Sequence, residues 1–68
     1  MDIPNGMFSL LIHVARLTAQ VAVLEGKEKE VAVQRAMTEF DGLAQDMQLS
    51  IPDARRAQLE RMIRDFVA

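Results

Sequence analysis

Between Met7 and Leu24 the chain reads MFSLLIHVARLTAQVAVL, and its clearly polar side chains are only Ser9, His13, Arg16 and Gln20. On an α-helix, steps of four, three and four place these on one stripe about 60° wide. Thr18 apart, every other direction around that helix is apolar. A surface helix ordinarily shows the reverse, an apolar stripe on a polar cylinder. The segment therefore needs covering on nearly all sides, more than the rest of a 68-residue chain readily supplies. The expectation is a helical chain that associates with itself through Leu10, Leu11, Val14, Leu17 and Val21, with this helix at the centre of the assembly.

Size points the same way. Sixty-eight residues allow one small domain. Such a chain buries only about 60% of the surface its unfolded form exposes. Ordering it costs on the order of 100 kcal/mol at about 1.5 per residue, which small domains offset with disulfides, a metal or oligomerisation. The chain has no cysteine and one histidine. Disulfides and thiolate metal sites are thereby excluded, and a structural zinc site is not expected. No cofactor is expected either.

Ten acids against eight bases give a net charge of −2. That balance speaks against a general nucleic-acid binder, whose affinity rests on neutralising phosphates. A 50% hydrophobic content rules against an acidic disordered tail. Asp2 stands where a signal peptide carries positive charge. The apolar run is about long enough to span a bilayer, but Arg16 at its centre costs roughly 2.5 to 3.5 kcal/mol on insertion scales. A cytoplasmic protein without a membrane partner is the expectation.

Three helical segments are legible. The first opens near Asp2-Ile3-Pro4-Asn5, with Asp2 or Asn5 as cap and proline in the first turn, and runs to about Glu25. Gly26 closes it as a left-handed cap, and the short Lys27-Glu28-Lys29-Glu30 connection makes its neighbour antiparallel. The second segment, about 28–48, carries a heptad seam of Val33, Met37, Phe40, Ala44 and Met47, flanked by Ala36 and Leu43. The seam keeps its phase across Asp41-Gly42, which predicts a continuous helix there at a penalty of about 1 kcal/mol for the glycine. The third segment begins at Ser50-Ile51-Pro52-Asp53, with Ser50 as cap, Pro52 in the first turn and Asp53 as capping-box acid. Leu59, Met62, Ile63, Phe66 and Val67 form its apolar face, and no period-two run suggests a strand.

Few residue groups suggest chemistry. His13 with Ser9 one turn away could be a base and a nucleophile, but that face offers no orienting carboxylate and the chain no glycine-rich loop. Glu39, Asp41 and Asp46 read as a solvated acidic face, without an EF-hand loop or a Glu-x-x-His pair. Arg55, Arg56, Arg61 and Arg64 concentrate on the third helix and are the candidate contacts for an anion or nucleic acid. Spacings of four also allow Arg56–Glu60, Glu60–Arg64 and Arg61–Asp65 pairs, which would make that face self-paired. Phe40, Met47, Met62 and Phe66 combine apolar area with methionine plasticity and are the candidate contacts for a protein partner.

Together these readings predict an all-α chain: a long antiparallel helical hairpin plus a shorter third helix, assembling as a homodimer or higher oligomer. The function expected is that of a non-enzymatic regulator, inhibitor or small chaperone that binds a larger protein. Two alternatives stand beside it. One is a small DNA-binding regulator using the third-helix arginines. The other is an anionic-ligand binder at a protomer interface around Ser9, His13 and Arg16.

Overall fold

Two prolines start two of the three helices. In the computed structural model, which describes residues 4–67, the Pro4 carbonyl accepts from the Phe8 N–H at 2.9 Å and the Pro52 carbonyl from the Arg56 N–H at 3.0 Å. Each proline is thus the last non-helical residue, the position whose carbonyl takes the first intrahelical bond. Helix α1 spans Asn5–Leu24, α2 spans Lys29–Asp46 and α3 spans Asp53–Val67. The side-chain caps expected at Asn5 and Ser50 are not used. Asn5 lies inside α1, Pro4 bonds no side chain as its cap, and Ser50 stands two residues ahead of Pro52. Asp2 lies outside the described residues.

The first two helices end in the same way. After α1, Gly26 takes φ +83° and the Lys27 N–H reaches back to the Ala22 carbonyl at 3.0 Å. After α2, Gln48 takes φ 56° and the Leu49 N–H reaches the Ala44 carbonyl at 2.9 Å. Both are Schellman closures, with one residue in the left-handed region. The second stops α2 at Asp46, short of the expected position 48. Gly42 does not break α2, as the phase of the seam required.

The helices run up, down and up. α1 and α2 form the antiparallel hairpin, and α3 lies against both, within extents of 37 × 20 × 17 Å. The core takes Phe8, Leu11, Ala15, Ala19 and Ala22 from α1, and Ala32, Val33, Ala36, Met37 and Phe40 from α2, with Leu59 and Ile63 from α3. Phe8 and Phe40 meet edge to face, ring centroids 6.3 Å apart at 84°, a geometry favoured by the ring quadrupoles. Leu49 and Ile51 of the connection pack onto this core. The described residues are all-helical, without a strand element.

Candidate interaction surface

Helix α1 carries two apolar faces of different texture. The inner face is mostly alanine and meets α2 and α3. The outer face presents Leu10 (57% exposed), Leu17 (49%), Val21 (55%) and Leu24 (79%), with Met7 and Val14 half-buried between them. At 100° per residue the two faces lie about 130° apart. Four of the five side chains expected at a self-association interface (Leu10, Val14, Leu17 and Val21) therefore stand on one outward stripe. Leu11 does not. One position beyond Leu10, it turns onto the alanine face and is buried in the chain's own core.

The residues expected to meet a protein partner divide similarly. Phe40 is enclosed by its own chain, in contact with Phe8, and is no surface residue. Met47 is exposed but lies past the C-terminal end of α2. Because Arg56 faces Asp41 and Arg64 faces Glu30, α3 runs antiparallel to α2, which leaves Met47 at the opposite end of the molecule from Phe66. Only Met62 and Phe66 remain together. Phe66 with Val67 borders an open groove of about 310 Å³ whose other wall is Gln20, Val23 and Leu24. A second groove of about 350 Å³ runs between Arg16, Met62, Asp65 and Phe66.

The arginines are engaged within the chain. Arg56 holds Asp41 through two bonds, 3.0 and 2.8 Å. Arg64 at the last turn of α3 binds Glu30 at the first turn of α2. Arg55 donates to the Asn5 side-chain oxygen at 3.0 Å and lies 4.9 Å over the Phe8 ring. Arg61 makes no ion pair among the described residues. The ion pairs expected along α3 at spacing four give way to pairs across to α2, because packing α3 on α2 brings Asp41 and Glu30 into direct reach. The hydrogen bond to Asp41 holds the Arg56 guanidinium above its ordinary value, and the Glu30 bond does the same for Arg64. Reciprocally, the bond from Arg64 holds the Glu30 carboxyl below its ordinary value. Such exposed pairs chiefly fix how α3 sits.

The polar stripe of α1 does not converge on a ligand site. Ser9, His13, Arg16 and Gln20 are all exposed, and the Arg16 guanidinium lies 4.4 Å over the Phe66 ring. A groove of about 230 Å³ between His13, Arg16, Leu17, Gln20 and Phe66 leaves Ser9 out, and it is smaller than the roughly 300–1,000 Å³ of ordinary ligand pockets. Glu39, Asp41 and Asp46 are exposed along α2. Among the described residues no three His, Cys, Asp or Glu side chains are grouped to hold a metal.

Met7 and Leu24 complete the outer stripe, beyond the positions expected from sequence. Their place was there to be read, since Met7, Leu10, Val14, Leu17, Val21 and Leu24 follow steps of three, four, three, four and three. Alanines on the far side made the whole cylinder look uniformly apolar and hid this period. By length and composition alone, α1 is also apolar enough to cross a membrane. Comparison with known proteins finds no matching family model, no matching curated protein and no matching solved structure.

Proposed function

We propose that this chain is a non-enzymatic protein-binding module, a regulator, inhibitor or small chaperone that works as a helical homo-oligomer and docks a larger protein. The observation that carries this reading is the outer stripe of α1, where four of the largest exposed apolar side chains lie in one row. A contiguous apolar surface on a small folded chain marks a contact surface. Met62 and Phe66, in grooves that adjoin the stripe at Leu17 and Leu24, supply a second apolar patch for the larger partner.

The DNA-binding and anionic-ligand readings have less support. Arg55, Arg56 and Arg64 are committed to Asn5, Asp41 and Glu30, and Arg16 to Phe66. A cytoplasmic setting fits this proposal better than a membrane, since the alanine face of α1 packs on α2 and Arg16 sits midway along the helix.

The test is a pull-down from the native cell, with the same bait carrying Phe66→Ala, Met62→Ala, or Arg61→Ala with Arg64→Ala. Each bait is first shown to be helical and unchanged in mass. Loss of the captured protein with the apolar variants and its retention with the arginine pair is the expected result. The opposite pattern, with steeply salt-dependent DNA binding, would move the function to the nucleic-acid class.

A further inference from the structure

The outer stripe of α1 has the period of a coiled-coil seam, with Met7, Val14 and Val21 in one heptad position and Leu10, Leu17 and Leu24 in the other. We propose that its occupant is a second copy of this chain, and that the two α1 helices pair parallel and in register. This rests on the self-association reading above and adds partner, orientation and register to it.

Four observations carry the proposal, the second and third being geometric. Valine at two of the three first positions (Val14 and Val21), with leucine at every second position, follows the pattern that favours two strands in parallel pairs. The row is continuous, about 26 Å from Met7 to Leu24 at 1.5 Å per residue. α2 and α3 leave Leu10, Leu17, Val21 and Leu24 about half exposed or more, while Val14 is partly buried and Met7 packs partly against the chain's own core.

Charge, the fourth, allows close approach. The positions flanking the seam are Gly6, His13 and Gln20 on one side and Thr18 and the C-cap Glu25 on the other, Leu11 being turned into the chain's own core. A parallel pair sets His13 against Thr18 of the second copy and Gln20 against Glu25 of the second copy, a donor amide facing a carboxylate. Glu25 already pairs with Arg35 at 3.1 Å, so no bare charge enters the contact.

The area is that of a modest dimer. The four most exposed seam residues present on the order of 400 Å² of mostly apolar surface per copy. A standard interface needs about 800 Å² per partner, so the flanking residues must supply the rim. The association expected is therefore reversible and concentration-dependent in the micromolar range, with the seam as its apolar centre.

The chain has no cysteine, so a single introduced thiol reports orientation cleanly. Val21→Cys alters an exposed position and leaves the core intact. In a parallel pair the new thiol meets its own copy. In an antiparallel pair centred on the stripe, Val21 would lie opposite Leu10, and the two introduced thiols would stand about 16 Å apart along the axis. Light scattering of the unmodified protein should give twice 7.6 kDa at high concentration. In a glutathione redox buffer Val21→Cys should convert mostly to covalent dimer, while Gln45→Cys on α2 stays single. Leu17→Glu should stay helical and raise the dissociation constant at least about tenfold.

A one-chain mass for the unmodified protein at all concentrations removes the self-association reading itself. A lipid surface would replace the second copy as occupant if that monomer floats with phosphatidylglycerol vesicles. Self-association with Val21→Cys unreactive towards itself, but forming a mixed disulfide with Leu10→Cys, overturns the orientation and leaves self-association standing. A three-chain mass overturns the two-stranded assignment.

Discussion

Arg16 of α1 lies over the Phe66 ring of α3 with its guanidinium carbon 4.4 Å from the ring centroid. The contact ties the polar stripe of α1 to the end of the third helix, and Phe66 remains partly exposed around it. A cation over an aromatic face at an exposed site contributes about 0.5–1 kcal/mol. A double-mutant cycle with Arg16→Ala and Phe66→Ala, read by urea unfolding, should return a coupling of that size. A coupling indistinguishable from zero would show that the stacking does not hold α3 in place.

The two helix endings differ in one respect that can be measured. Gly26 and Gln48 occupy equivalent left-handed positions, at φ +83° and 56°, but only the first is glycine. A side chain in this region costs roughly 1 kcal/mol or slightly more. Gln48→Gly should therefore stabilise the chain by about 1 kcal/mol, and Gly26→Ala should destabilise it by a similar amount. Thermal melts of the two variants should move in opposite directions. A downward shift for Gln48→Gly would mean that the Gln48 side chain contributes more than its backbone costs.

Glu30 gives a pH dependence of fixed sign. Its bond to Arg64 lowers its carboxyl in the folded chain, so the unfolded state binds its proton more readily. The stabilisation is complete above the ordinary carboxylate range and is lost as pH falls through the lowered value. Glu30→Gln should be less stable than the unmodified chain at pH 7, and the gap should close in acid. Equal stability of the two proteins at pH 7 is the contrary result.

The α1–α2 contact should tolerate little added volume. Ala36 is fully enclosed and shares the core with Ala15, Ala19 and Ala22. Ala36→Leu adds three carbons where no space is provided and should cost about 1–3 kcal/mol. Leu17→Ala, on the open face, should change the stability of the isolated chain far less. Denaturant midpoints at dilute concentration compare the two directly.

Much of this fold was legible because it is local. Helix phase, the Gly26 ending and the continuity of α2 through Gly42 all follow from spacing and from backbone preference. The misses lie where tertiary packing chose between locally equal options. Arg56 and Arg64 had Glu60 within reach on their own helix, yet they bind Asp41 and Glu30 across the interface. Pro4 and Pro52 displace the polar caps expected nearby, and nothing in composition marks Gln48 as a helix-ending residue. At the surface, the stripe from Leu10 to Val21 was readable. Its separation from Leu11 was not, because the direction from which α2 approaches decides which apolar face turns inward.

That inward face is built from alanine, and this bears on how so short a chain stays ordered. A buried leucine or methionine gives up rotamer freedom, whereas an alanine has none to give up. Where Ala15, Ala19 and Ala22 of α1 and Ala32 and Ala36 of α2 line the core, the hairpin closes with little side-chain entropy lost, and that cost falls mainly on Phe8, Leu11, Met37 and Phe40. The large aliphatics Leu10, Leu17 and Leu24 of α1 stand exposed on the outside. The hairpin thus limits what must be frozen on folding, and in the proposed pair the freezing of Leu10, Leu17 and Leu24 would fall to association.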